Sequence, residues 1–205
     1  MPYVSIAGER IFYIHHPATR LEFPPLVLVH GAGGSHQHWG HQIRSIPTAV
    51  TYALDLPGHG RSSGTGCQTI EGYAYYVIEF MDALQLTRAT IAGHSMGSAI
   101  ALWMALHDPA RVEALILVGS GAKLRVLPRI LEGILKDFDT TIRFIVEKSY
   151  GKGATEETLR AGWQQMRSVS PITLHNDFAA CDSFDVMDSL PRIYQPTLLI
   201  TGTQD

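Results

Sequence analysis

The segment Gly93-His94-Ser95-Met96-Gly97 sets a serine between two glycines at a spacing that suits nucleophilic chemistry. A serine on a sharp turn from strand to helix holds its hydroxyl clear of the backbone. Such a turn drives the serine toward a strained conformation and leaves room only for small residues two positions to either side, here Gly93 and Gly97. The chemistry is attack of a hydroxyl oxygen on a carbonyl carbon. The backbone amide of Met96, in the first turn of the following helix, is then aimed at the negative charge that develops. A short G-x-S-x-G string also occurs in ordinary glycine-rich turns, so its flanks decide the reading. Ala89–Ala92 is a short β-prone run of the kind that forms a buried parallel strand. Met96-Gly97-Ser98-Ala99-Ile100-Ala101-Leu102 is helix-compatible and begins with small residues. Both flanks are those the turn requires.

Other segments must position that serine. Val4–Ile6 and Ile11–Ile14 read as two short strands joined at Ala7-Gly8-Glu9-Arg10. Leu26–Val29 is the third strand and about Val50–Leu54 the fourth; a helix over Ile70–Leu84 follows, with Thr69 as its N-cap. The helix opened by Met96 runs to His107, where Asp108-Pro109 stops it, and Ala114–Gly119 is the next buried strand. Alternating apolar strands and helices predict an α/β fold with a mainly parallel, doubly wound sheet.

Four segments in order resemble the α/β-hydrolase family, in its serine-nucleophile branch of small esterases, lactonases and carbon–carbon hydrolases. They are His30-Gly31-Ala32-Gly33-Gly34 after the third strand, Asp55-Leu56-Pro57-Gly58-His59-Gly60-Arg61-Ser62 after the fourth, the serine turn, and Pro196-Thr197-Leu198-Leu199-Ile200-Thr201-Gly202-Thr203-Gln204-Asp205. The resemblance implies that the amide of Ala32 is the second oxyanion donor beside Met96. It also implies that Asp55 braces its loop, through Arg61, and takes no part in the reaction. A dinucleotide-binding loop starting at Gly31 and Gly33 would need glycine at 36, where His36 stands. Ser95 in place of aspartate argues against the dehalogenase and epoxide hydrolase branches.

In the family order of serine, acid and histidine, Asp205 is the acid that orients the base. The sequence ends there, so the histidine is expected beyond it, together with the last core strand and a closing helix. His94 adjoins Ser95 and should point away from the hydroxyl. His36, His38 and His41 cluster after the glycine-rich loop, but no carboxylate pair or H-E-x-x-H pattern accompanies them, and no metal is expected.

Between Lys123 and about Arg192 the periodicity turns from strand-like to helical. Ile130, Leu131, Ile134, Leu135 and Phe138 form one apolar series; Ile142, Ile145 and Val146 form another; Leu159, Trp163 and Met166 form a third. Thr155-Glu156-Glu157 is a helix start. The predicted organisation is a core over residues 1–122, a helical lid over 123–192 between the sixth and seventh core strands, and strand seven with its acid turn over 193–205. Most apolar residues of these helices are read as facing their own core. Phe138, Phe144, Trp163 and Met166 are the candidates for an acyl pocket.

The 205 residues suffice for one sizeable core. A 45% apolar and 17% charged composition with formal net charge −3 fits a soluble globular chain and offers no basic stripe for nucleic acid. No stretch approaches the ~20 apolar residues of a membrane span, and Met1-Pro2-Tyr3-Val4-Ser5 has no signal-peptide pattern, so a cytoplasmic protein is expected. Cys67 and Cys181 read as separate thiols. The predicted function is cofactor-independent hydrolysis of a small-molecule carboxylic ester, lactone or thioester with a small apolar acyl group. The alternative is a non-catalytic member of the same fold that binds a ligand or partner.

Overall fold

A computed structural model describes residues 2–203. Seven strands form one sheet in the order β1-β2-β4-β3-β5-β6-β7. They are β1 Tyr3–Ile6, β2 Glu9–His16, β3 Leu26–Val29, β4 Thr51–Leu54, β5 Ala89–His94, β6 Val112–Val118 and β7 Thr197–Ile200. The β1/β2 and β2/β4 pairs are antiparallel, and the pairs from β4 through β7 are parallel. The mainly parallel sheet expected from the alternation is therefore present. The first hairpin is tighter than the sequence reading: Ala7 and Gly8 alone make the turn, at φ +50° and +86°, and Glu9 and Arg10 belong to β2. Positive φ at both turn residues matches the twist of the flanking strands.

Helices α1 His41–Arg44, α2 Ile70–Ala83 and α3 Met96–His107 connect the strands. Thr69 caps α2, its hydroxyl accepting from the Gly72 amide at 3.0 Å. Helix α2 lays Tyr73, Val77, Phe80 and Met81 on a core shared with β3, β5 and α3. On the opposite face of the sheet, Leu26, Leu28, Ala53 and Ala92 pack with Trp39. β3 is buried at all four positions, as a central parallel strand covered on both faces must be.

Four further helices lie between β6 and β7: α4 Pro128–Lys136, α5 Phe138–Ser149, α6 Glu156–Arg167 and α7 Pro171–Ser183. Each of the last three starts at a side chain that accepts from an N-terminal amide: Asp137, Thr155 and Ser170. Ile134, Ile142, Ile145, Val169 and Leu174 form a separate small core for this group. The ends of the insert meet where Lys123 pairs with Asp185 across an isolated antiparallel bridge and a 2.5 Å ion pair. Among the described residues no helix is long and apolar enough to cross a membrane.

Candidate active site

Ser95 stands between β5 and α3 at φ +52°, ψ −116°, one of three non-glycine residues with positive φ among those described. A β-carbon at Gly93 would lie 2.1 Å from the Gly97 carbonyl oxygen, and one at Gly97 would lie 2.2 Å from that of Val29. Backbone meets backbone at both positions, so only glycine fits and the turn is held from both sides. The Ser95 amide donates to the Val118 carbonyl at 2.9 Å, which continues the β5/β6 pairing to the serine itself. Strain at a residue held this firmly is typical of a functional turn.

The loop after β3 packs directly on this turn. A β-carbon at Gly31 would be 3.2 Å from Ser95 Cβ and 3.0 Å from His94 Nδ1. Gly31 O accepts from Gly34 N at 3.0 Å and from His30 Nδ1 at 2.8 Å. Leu56 N donates to His30 Nε2 at 3.0 Å, so His30 is neutral with its proton on Nδ1. Burial, and then the nearby His59, push its pKa well below the usual histidine range.

Above the serine lies a cavity of about 620 Å³. Gly31, Ala32, His94 and Ser95 form its floor, Trp39, Val118 and Ile200 line its sheet side, and Ile145, Val146, Met166 and Phe178 come from the inserted helices. The wall is mostly apolar, as in sites that enclose small organic ligands. His38, Ser149, Tyr150 and Gln165 also line the cavity. Burial, then His94 and His59, push His38 down to about 4, although the residue as a whole stays exposed.

The structure brings Ser95, Ala32 and Met166 together at this cavity. Met96 takes the first position of α3 with its side chain buried in the core below. Phe138, Phe144 and Trp163 are absent from the cavity wall, contrary to the sequence reading. Phe138 and Trp163 pack on the small core of the insert. Trp163 lies between the guanidinium groups of Arg143 and Arg167, 4.8 and 4.9 Å from its ring, and Phe144 lies under Arg129 at 3.9 Å. Cations of the inserted helices thus cover the faces of Trp163 and Phe144, and neither ring lines the cavity. Asp205 lies outside the described residues.

Asp55 braces its loop through Arg61, as expected, and through His36 as well. It is fully buried, and Oδ1 accepts from His36 N at 2.6 Å and from His36 Nδ1 at 2.8 Å. Oδ2 accepts from the Arg61 backbone amide at 2.9 Å, while the Arg61 guanidinium lies over Phe12. His36 is thereby committed to Asp55, and among the described residues no His, Cys, Asp or Glu group converges as a metal-ligand set. Cys181 is on the cavity wall, its thiol pushed up by burial and then by Asp177 and Asp182, which keeps it protonated.

Sequence reasoning missed α7 and its Asp177. This carboxylate is fully buried, accepts from Gly33 N and His59 Nε2 at 2.8 Å each, and accepts from the Tyr73 hydroxyl. The Ser170-Pro171 pair was the available signal for the start of α7: a capping hydroxyl followed by proline at the first helical position.

A strained serine at a strand-to-helix turn, a glycine loop packed against it and an adjoining cavity make the candidate site of this fold. Residues 24–154 match the model of the α/β-hydrolase fold family, and the chain belongs to that family. It is similar to a pimeloyl-[acyl-carrier protein] methyl ester esterase of Klebsiella pneumoniae, 30% identical over 196 residues that cover 88% of this chain and 75% of the relative. Among solved structures it is similar to a hydrolase from Pseudomonas aeruginosa, at 26% identity and TM-score 0.85, covering 98% of this chain and 79% of that one. It is also similar to a thermophilic esterase, at 29% identity and TM-score 0.82, covering 99% and 77%. The protein is a hydrolase with esterase relatives.

Proposed function

We propose that the protein hydrolyses a carboxylic ester, lactone or thioester of a small apolar acyl group through an acyl-serine intermediate on Ser95. The observation that carries this reading is the strained Ser95 at the floor of a largely apolar cavity, against the Gly31–Gly34 turn. The amides of Met96 and Ala32 bind the oxyanion. Gly31 O is held by Gly34 N and His30 Nδ1, and the N–H of a trans peptide points opposite its C=O, so the Ala32 N–H is fixed in direction before substrate arrives. The helices between β6 and β7 act as a lid, with Ile145, Val146, Met166 and Phe178 receiving the acyl chain. Asp205 orients a histidine base contributed after it in the chain. His30 and His59 do not serve as that base, because both ring nitrogens of each are hydrogen-bonded elsewhere.

Turnover of p-nitrophenyl acetate and butyrate tests this reading. Ser95→Ala should lower kcat by at least about a thousandfold with the fold intact, because members of such a set act as a unit. Equal turnover by Ser95→Ala overturns the assignment. The reading frame past Asp205 is a second test: a histidine there completes the set, and a stop codon directly after Asp205 favours the ligand-binding alternative.

A further inference from the structure

Asp177 joins the inserted helices to the loop that faces the serine. It sits mid-way along α7, fully buried, and its Oδ2 is 2.8 Å from the amide nitrogen of Gly33. Gly33 is the third residue of the Gly31–Gly34 turn and has φ +65°. That left-handed conformation is open to glycine and strained for other residues. Leu174 of α7 and Met166 of α6 press on the same residue, since a β-carbon there would lie 2.9 and 3.3 Å from their side chains.

The same carboxylate oxygen faces His59 Nε2, and His59 Nδ1 faces the Pro57 carbonyl at 3.0 Å. Both ring nitrogens therefore meet acceptors, and both bonds exist together only in the imidazolium. Burial of the ring opposes the charge, but the charge and hydrogen bond of Asp177, with the Pro57 carbonyl, outweigh it and raise the pKa. Asp177 and His59 thus form a buried ion pair beneath the turn. The cation offsets a carboxylate charge that would otherwise oppose an oxyanion nearby. Tyr73 donates to the remaining oxygen, so each oxygen of the carboxylate has a donor.

We propose that Asp177 is a positioning residue: from the inserted helix α7 it holds the Gly33 amide and so sets the oxyanion-binding turn beside Ser95. Transition-state stabilisation then depends on α7 being docked. The proposal rests on the reading of Ala32 N–H as an oxyanion donor. The neighbouring Asn176 separates this role from simple anchoring. It ties the same helix to a different loop, with Nδ2 donating to Thr65 O at 2.9 Å and Oδ1 accepting from Gln68 at 3.2 Å.

Kinetics on p-nitrophenyl butyrate and amide exchange at Gly33, followed by NMR, test the proposal in three variants. Asp177→Leu should lower kcat by about tenfold or more with KM within about twofold, since a misplaced oxyanion donor costs the transition state and not substrate binding. Its Gly33 amide should exchange about tenfold faster or more once the acceptor is gone. Asp177→Asn keeps an acceptor oxygen for Gly33 and should hold both readings within about threefold of the parent. Asn176→Ala should lower the melting temperature and leave kcat unchanged. Should Asp177→Leu fail to fold, Asp177→Ser, too short to reach Gly33, is read the same way. Unchanged Gly33 exchange on loss of the carboxylate overturns the proposal, as does an equal fall of kcat in Asn176→Ala. A parent whose turnover does not depend on Ser95 sinks the hydrolase reading instead, and the exchange result still decides the role of Asp177.

Discussion

His30 and His59 lie with ring centroids 4.8 Å apart, and hydrogen bonding leaves one neutral and the other a cation. Leu56 N donates to His30 and keeps it neutral, while Asp177 and Pro57 accept from His59 and keep it charged. The consequences for stability have opposite signs. The folded pKa of His30 lies well below the ~6.5 of an unfolded chain. The unfolded state therefore takes up a proton that the folded state refuses, and stability falls as pH drops below about 6.5. His59 is raised, so its contribution is complete below about 6.5 and is lost as pH climbs through its folded value. Urea unfolding between pH 6.5 and 4.5 checks the first effect. His30→Gln should show a shallower loss than the parent, by up to about 1.4 kcal/mol per pH unit, the value of one linked proton. Parallel slopes for the two proteins would contradict the neutral assignment. Single residues differed in how far sequence revealed them. Ser95 was legible because its glycine neighbours are a local demand of the turn. Of the partners of Asp55, Arg61 was legible from the likeness of its loop, whereas His36, 19 positions away, was not.

Among the elements, α3 matched the sequence reading from Met96 to His107, with small residues where it meets β3 and a proline where it ends. Close approach of Gly97 to the Val29 carbonyl makes this contact intolerant of even one methyl group. Gly97→Ala should destabilise the fold by about 1–3 kcal/mol, the usual cost of overpacking, read as a lower urea midpoint. An unchanged midpoint would mean that β3 and α3 do not meet as described. Helix α7 escaped the sequence reading because periodicity finds helices with one apolar face. Thr173, Asn176, Asp177 and Cys181 are buried in α7 alongside Leu174 and Ala180, so its polar residues are on the inside. Phe138, Phe144 and Trp163 failed as pocket residues for a related reason: size and helical spacing do not reveal that arginines cover two of these rings.

For the molecule as a whole, the mainly parallel pairing followed from the alternation of apolar runs and helices, which calls for a sheet covered on both faces, whereas the strand order comes from the structure alone. What alternation does not specify is how the insert touches the core, because those contacts span more than a hundred positions, as between Gly33 and Asp177. Among the described residues β7 is paired on one side, to β6, and Leu198, Leu199 and Ile200 are each about half exposed. A polypeptide of residues 1–205 should therefore self-associate through this strand, and Leu199→Lys should return it toward monomer in sedimentation. A parent that sediments as a monomer at high concentration would show that β7 does not act as a sticky edge.

Attack of the Ser95 oxygen on the acyl carbonyl is the step on which the proposed hydrolysis depends. Mass spectrometry of the enzyme quenched during turnover of p-nitrophenyl butyrate, carried out on a chain that includes any histidine encoded past Asp205, tests it most directly. The account predicts one added butyryl group on the peptide that contains Ser95, gone in Ser95→Ala. An acyl group on another residue, or turnover with the Ser95 hydroxyl never modified, would contradict it.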